Sequence, residues 1–224
     1  CIYGMVDMAM VGQYQGPDGT AALAVVAPVW NIIYSLGLLM GIGGSVLFSA
    51  ARGRGDQGED AQYFTASVIG SILLAIAFWL GLVLFEAPVL RFFGANDALL
   101  PLAQRYLQPI KYVFPLFLFN QMLSAFLRND GNPGLATLGV LSGGIFNVFG
   151  DYFFVFACDM GIYGAGLATA MGCVISFIVL LTHFKSRKNT LRLVSPDRLP
   201  RRLREITVTG FSSFFIDVAM GILT

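Results

Sequence analysis

Long apolar runs separated by short polar stretches dominate the chain. A helix that spans a membrane needs about 20 mostly apolar residues. Five runs meet this requirement with no more than one Asp, Glu, Lys, Arg or His side chain each, and they cover residues 21–51, 61–85, 106–127, 134–157 and 160–184. The pattern therefore predicts five complete spanning helices.

Shorter apolar stretches lie at both ends. Residues 1–13 are apolar except for Asp7, and residues 206–224 are apolar except for Asp217. The first stretch is too short to span and lacks the basic region of a secretory signal. We interpret it as the back end of one helix and the last stretch as most of a seventh, so we expect a fragment.

Composition supports a membrane protein. Of the 224 residues 56% are hydrophobic and 12% charged, and the mean hydropathy is +0.73. Soluble domains are about 25% charged. These values exclude a soluble enzyme domain, a disordered chain and a disulfide scaffold, and they predict an all-α, polytopic bundle. Cys1, Cys158 and Cys173 are scattered and form no CxxC pair, which argues against a metal site.

The distribution of basic residues predicts the orientation. Cytoplasmic loops are enriched in Lys and Arg. Loops 52–60, 128–133 and 185–204 and their flanks hold 11 of the 14 basic residues, whereas Arg91, Arg105 and Lys111 fall on the other side. Loops rich in Lys and Arg alternate along the chain with loops that are poor in them, as consecutive membrane crossings require. We therefore expect a multi-pass protein of the plasma membrane with these three loops in the cytoplasm.

The loop at residues 185–204 is the longest polar stretch. It holds eight basic residues and the single acid Asp197. We interpret it as a cytoplasmic linker that contacts anionic lipid. It divides the chain into an amino-terminal bundle at 1–184 and the start of a second bundle at 205–224. The net charge of +1 gives no indication of nucleic-acid binding.

Polar side chains at one depth suggest a site. Carboxylates inside a membrane are costly and are usually functional. At 1.5 Å per residue, Asp7 and Asp151 both lie roughly 9 Å below the outer surface and Thr169 lies roughly 12 Å below it. Asn147 precedes Asp151 by four residues and shares its helix face. These four residues are predicted to form one oxygen-rich pocket.

Such a pocket favours a cation. Two carboxylates in a low dielectric do not both stay ionised without a partner, so they hold a proton or a cation. Oxygen ligands suit Na⁺. A purely structural role, in which Asp7 and Asp151 each pair locally and pin helices together, stays open.

Four further polar residues lie near mid-membrane and are candidates to line a substrate cavity: Asn31, Asn120, Gln121 and Asp217. Hydrogen bonds between helices are the alternative. His183, the only histidine, is expected at the interface. There is no HExxH, GxSxG or P-loop motif, so we expect no enzymatic activity.

Several segments resemble the multidrug and toxic compound extrusion (MATE) transporters, in particular the DinF- and MepA-like branch. The segments are VDMAMVG at 6–12, AVVAP at 24–28, MGIGG at 40–44, AFLRNDGNP at 125–133, FNVFGD at 146–151 and GAGLAT at 164–169. Their order and spacing match over essentially the whole chain. The family fold has twelve helices in two six-helix lobes around a central cavity, so the resemblance implies the amino-terminal lobe plus the start of the seventh helix.

The resemblance also implies a function. The family exports organic cations and drugs in exchange for H⁺ or Na⁺ by alternating access, without any cofactor other than the coupling ion. In its archaeal and DinF-like branches, an Asp, an Asn–Asp pair and a Thr form the cation site, and these correspond to Asp7, Asn147, Asp151 and Thr169. Asp217 is the candidate for an acid that recurs on the seventh helix in one branch. The implied partners are small organic cations and membrane lipids, with a monomer at full length.

Two alternatives remain. The first is a lipid-linked oligosaccharide flippase of the same superfamily, whose cavity should be rich in Lys and Arg. No Lys or Arg lies deep in the apolar runs, which favours the drug exporter. The second is a membrane receptor without transport activity.

Overall fold

The computed structural model describes residues 2–56 and 58–223, and within these residues it contains helices and no strand. The helices are α1 (Ile2–Gln15), α2 (Pro17–Arg54), α3 (Glu59–Phe92), α4 (Leu99–Ile110), α5 (Phe114–Asn129), α6 (Pro133–Asp151), α7 (Gly161–Leu181) and α8 (Leu199–Leu223). A π-helical segment (Tyr152–Ala157) extends α6, and a 3₁₀ turn (Thr182–Lys185) follows α7. The predicted all-α class is confirmed.

Four helical segments in the described part of the chain are long and apolar enough to span a membrane. They are Pro17–Arg54, Glu59–Phe92, Pro133–Ala157 and Gly161–Lys185. The pair α4 and α5 passes the same test when taken together, with a bend of 61°. The predicted span at residues 106–127 is therefore a broken helix that begins at Leu99.

Proline chemistry explains the break. Pro115 has no N–H, and its ring would clash with the carbonyl four residues earlier, that of Lys111. The freed carbonyl oxygen of Lys111 accepts a hydrogen bond of 2.9 Å from the Trp79 indole N–H. The Lys111 ammonium pairs with Glu86 of α3. The break therefore leaves neither the carbonyl oxygen nor the ammonium of Lys111 without a partner.

A second kink lies in α3. Phe85 has non-helical backbone angles (φ −122°, ψ 26°), three residues before Pro88. The predicted span at 61–85 ends at this kink, and helical structure continues to Phe92.

The described chain divides into two compact units. The first runs up to Trp30 and includes Ala77–Phe114 and Val140–Ser176; the second comprises Asn31–Ile76, Pro115–Gly139 and the chain from Phe177 onward. Helices α2, α3, α6 and α7 contribute to both. The core of the second unit is aromatic: the ring centroid of Phe126 lies 5.6 Å from that of Phe48 and 5.1 Å from that of Phe64.

His183 lies in the turn that follows α7, and its side chain is fully buried in the second unit. Its Nε2 lies 2.7 Å from a carboxylate oxygen of Asp130, in the turn between α5 and α6. The sequence pattern did not predict the polar residues that surround His183.

The linker retains an excess of positive charge. Helix α8 begins at Leu199, inside the stretch that we interpreted as linker. Among the described residues, six exposed cations of this region are in no ion pair: Lys185, Arg187, Lys188, Arg192, Arg198 and Arg204. Contact with anionic lipid stays a prediction.

Candidate functional site

Five polar side chains from four helices meet inside the first unit. Asp7 comes from α1, Tyr106 from α4, Asn147 and Asp151 from α6, and Thr169 from α7. The structure thus brings together all four residues of the predicted pocket and adds Tyr106. Their role in binding a cation is not decided by this proximity.

Asp7 is the centre of the hydrogen bonding. Its Oδ2 accepts a bond of 2.9 Å from the Tyr106 hydroxyl and one of 3.0 Å from the Thr169 hydroxyl. The Thr169 oxygen in turn accepts a bond of 3.1 Å from the Asn147 amide nitrogen. The four side chains form one continuous chain of hydrogen bonds.

Asp151 lies beside this chain. It is completely buried and Asp7 is only 4% exposed, and the two carboxyl groups lie near enough to repel each other. Among the residues that the structure describes, neither carboxylate has an ion-pair partner. Two buried carboxylates without a cation repel each other strongly, so one proton or one cation is required between them.

Four buried oxygen atoms at this place have no hydrogen-bond donor within the described residues. They are Oδ1 of Asp7, Oδ1 of Asn147 and both carboxylate oxygens of Asp151. Buried polar atoms without a partner are rare in native proteins. A donor set made only of oxygens, with two carboxylates, fits a proton or a hard cation such as Na⁺.

Local sequence explains how the helices approach. Asn147 and Asp151 are separated by one helical turn and so lie on the same face of α6. Gly166 of α7 packs against α4 so closely that an added Cβ would lie 2.2 Å from the Tyr106 carbonyl oxygen. Glycine at this position lets α7 carry Thr169 to the helix that carries Tyr106.

The segment after Asp151 is tied to α1. Here α6 becomes π-helical over Tyr152–Ala157, a geometry that often marks functional sites. The Tyr14 ring at the end of α1 packs edge-on against Phe156, with centroids 6.0 Å apart, and its hydroxyl donates a hydrogen bond to Asp159. These contacts hold the helix of Asp7 beside the segment that follows Asp151.

An open groove of about 830 Å³ lies along α1. Its lining is largely apolar and contains methionine and aromatic side chains: Met5, Val6, Ala9, Met10, Gln13, Tyr152 and Phe156. Such a surface suits a flat, lipophilic molecule.

The four cavity candidates lie in the second unit. Asp217 of α8 accepts a hydrogen bond of 2.6 Å from the Ser35 hydroxyl of α2, which also bonds to the backbone carbonyl of Asn31. Asn120 and Gln121 are half-buried on α5. Whether these residues line a substrate cavity stays a prediction.

Tyr106 is the member of the site that the sequence did not reveal. It begins the apolar run at 106–127, where a tyrosine is typical of a membrane interface. The amphipathic pattern of α4 was the available signal, since Ala103, Tyr106, Leu107 and Ile110 are buried while Gln104, Arg105 and Gln108 are not.

Replacing Tyr106 by Phe should weaken the coupled transport that the family resemblance implies. The change removes one of the two hydrogen bonds to Asp7, and a bond to a charged group contributes about 1.5–3 kcal/mol. Because Thr169 still donates to the same oxygen, we expect a loss of roughly tenfold or less in initial transport rate. Tyr112→Phe, at a side chain that is 83% exposed, is the control. Equal rates in both variants would contradict a role for the Tyr106 hydroxyl.

Comparison with known protein families shows the family to which this chain belongs. The sequence model of the MatE family matches residues 1–153, about two thirds of the chain. The chain belongs to the MatE family. Its apolar helices make this MatE chain a multi-pass protein of the plasma membrane.

Curated relatives are multidrug export proteins. The chain is 24% identical over 223 residues to the multidrug export protein MepA of Staphylococcus saprophyticus, covering 99% of this chain and 49% of the relative. It is 25% identical over 224 residues to MepA of Staphylococcus aureus, strain MSSA476, with 98% and 49% coverage. The chain therefore spans about half the length of these relatives.

Solved structures share the fold. An inward-facing multidrug resistance MATE family transporter of the MOP superfamily superposes with a TM-score of 0.90 at 23% identity, over 98% of this chain and 51% of that one. An outward-facing transporter of the same description gives 0.87 at 23% identity, over 99% and 49%.

Proposed function

We propose that this MatE chain belongs to a cation-coupled antiporter that exports lipophilic organic cations. The two MepA relatives are multidrug export proteins by name, and neither is named as an enzyme. The coupling ion, H⁺ or Na⁺, binds at Asp7, Asn147, Asp151 and Thr169. We further propose that the complete protein is a monomer and that it binds neither nucleic acid nor a catalytic cofactor.

The cluster of buried oxygens without donors carries this proposal. A proton on one carboxyl would supply the missing donor between Asp7 and Asp151. A sodium ion would be coordinated by those carboxylates and by the Asn147 carbonyl oxygen. Either ion removes the repulsion between the two acids, so occupancy changes the free energy of the arrangement.

The residues of this chain suggest how ion binding acts on transport. Asp7 lies on α1, and the groove for lipophilic molecules is lined by Met5, Ala9 and Met10 of the same helix. When the ion binds, the hydrogen bonds from Tyr106 and Thr169 to Asp7 weaken or rearrange. The resulting shift of α1 changes the groove. A ligand shifts this equilibrium only by its different affinity for the two states.

The groove also bears on the flippase alternative. A pyrophosphate-linked cargo needs cationic side chains, yet the lining residues that the structure describes include no Lys or Arg. A lipophilic cation instead finds aromatic faces at Tyr152 and Phe156, which attract positive charge.

The test uses proteoliposomes that contain the complete gene product and a fluorescent lipophilic cation. An imposed proton gradient or sodium gradient should drive accumulation against the cation's own gradient, and collapse of that gradient by an ionophore should stop it. The gradient that works identifies the ion. Cation movement that is independent of both gradients would refute coupled antiport, and movement of lipid-linked oligosaccharide instead would favour the flippase.

A further inference from the structure

Asp130 is a buried carboxylate with four hydrogen-bond donors. Its Oδ1 accepts bonds from the Arg52 guanidinium, at 3.0 Å, and from the Thr190 hydroxyl. Its Oδ2 accepts bonds from His183 Nε2, at 2.7 Å, and from the Thr190 backbone N–H, at 2.9 Å. These donors come from the end of α2, the 3₁₀ turn and the linker, so one carboxylate joins all three predicted cytoplasmic loops.

The cluster is built for an ionised Asp130. Burial opposes its ionisation, but bonds from Thr190 and then from His183 and Arg52 outweigh burial and hold the pKa of Asp130 below its ordinary value. The Asn132 amide nitrogen lies 3.2 Å from His183 Nδ1 and can only donate to it. His183 Nε2 thus faces Asp130, and its Nδ1 faces Asn132.

The linker is attached at further points. The Val194 N–H donates to the Thr65 hydroxyl at 2.9 Å, and the Asp197 N–H donates to the Gln62 side chain at 3.3 Å. Leu191 is 3% exposed and packs in the aromatic core of the second unit. Four attachments within eight residues, counted from Thr190 to Asp197, leave little slack in the chain.

The same surface receives the start of α8. Arg202 pairs with Glu59 of α3 at 3.5 Å, and its guanidinium lies 4.8 Å from the centroid of the Tyr63 ring. The Tyr63 hydroxyl donates a 2.8 Å bond to Glu205. The attachment of the linker thus continues into the first two turns of α8.

We propose that Asp130 is a positioning residue for transport, which fastens residues 186–198 as a strap and so fixes the cytoplasmic start of α8. A free tether of this length would let its ends separate and return at random. A fastened strap makes any movement of α8 depend on the ends of α2 and α5. The role of Asp130 in transport rests on the proposed function. The attachment of residues 186–198 to Asp130 does not depend on it.

Limited proteolysis measures the fastening directly. The strap region offers trypsin exposed sites at Lys185, Arg187, Lys188 and Arg192, and a protease cuts only segments that open locally. Asp130→Asn removes the charge and places an amide N–H₂ against donors. In the complete protein in nanodiscs, we expect cleavage within 185–198 to become at least about tenfold faster, because the partners of a buried charge are left unpaired.

Two further variants make the result specific. Asp56→Asn changes an exposed cytoplasmic acid that pairs only with Arg54, and it should leave cleavage unchanged. Thr190→Val keeps the backbone donor and removes the hydroxyl, so cleavage should rise severalfold, less than in Asp130→Asn. If Asp130→Asn does not fold, the cleavage rate of Thr190→Val tests whether residues 186–198 are fastened.

Transport kinetics test the positioning role. No cation-site residue is among the hydrogen-bond partners of Asp130, so its loss should lower turnover at saturating substrate while KM stays within about twofold. Equal cleavage in all variants overturns the strap. Faster cleavage with unchanged turnover overturns the positioning role. Absence of coupled transport in the unmodified protein would refute the proposed function and leave the cleavage result standing.

Discussion

Asp7→Asn should abolish gradient-driven export of lipophilic cations. An amide neither takes up a proton nor balances the charge of a bound cation. Asp7 is the acceptor for both Tyr106 and Thr169, so the change also alters the hydrogen bonding that connects α1, α4 and α7. Without an ionisable group at this position to hold the coupling ion, gradient-driven export should fall to the background rate.

Asp151→Asn should have the same effect on transport. In the proposed mechanism the two carboxyl groups share one ion, and residues that act as a unit are strongly non-additive. The double variant should therefore be no worse than either single variant. Both single variants should fold at least as well as the unmodified protein, because each removes repulsion between buried carboxylates.

The measurement is initial uptake in proteoliposomes, with protein yield and thermal stability recorded for each variant. Asp18→Asn is the matched control, since Asp18 is an exposed acid at the start of α2 outside the cluster. Transport near the unmodified level in both Asp7→Asn and Asp151→Asn would show that the acids only pin helices together, which is the alternative that the sequence left open.

Gly43→Ala should destabilise the second unit. A Cβ at this position of α2 would lie 2.1 Å from the carbonyl oxygen of Ile206 on α8. The reciprocal contact is equally tight, because a Cβ on Gly210 would lie 2.2 Å from the carbonyl oxygen of Leu39. Both obstacles are backbone atoms of helices and cannot rotate away. Overpacking costs typically about 1–3 kcal/mol, and we expect the upper part of that range.

Gly81→Ala is the control and should change stability in the opposite direction. Gly81 lies within α3, where an added Cβ would meet no atom within 4 Å. Alanine is favoured over glycine in a helix by up to about 1 kcal/mol. Thermal unfolding in detergent should therefore give a lower Tm for Gly43→Ala and an equal or higher Tm for Gly81→Ala. Equal shifts in the two variants would contradict the close crossing of α2 and α8.

Part of the site was predictable because depth in a membrane follows from residue count. The rise of 1.5 Å per residue placed Asp7, Asp151 and Thr169 at similar levels without any knowledge of the fold. The spacing of four residues placed Asn147 on the face of Asp151. Hydrogen bonds of 3.0 Å and 3.1 Å now link Thr169 to Asp7 and Asn147 to Thr169. Binding of a cation there remains a prediction.

Other residues were not predictable, since their surroundings come from distant parts of the chain. Asp130 lies in a turn of Asn, Asp, Gly and Pro, a composition typical of exposed loops. It is instead buried, and it accepts a hydrogen bond from Thr190, which is 60 residues away in sequence. His183 lies 53 residues from the carboxylate that it contacts. No local periodicity reports such contacts.

The sequence by itself determined the helical membrane class, the approximate spans, the family and the level of the four candidate site residues, because hydropathy, charge and helical rise are local properties. The tertiary structure alone decided which helix faces meet. It placed the Tyr106 hydroxyl on Asp7, broke the fourth predicted helical region around Pro115 and fastened the linker to Asp130. Those outcomes depend on the rotation of each helix about its axis and on its neighbours, and packing between distant segments sets both.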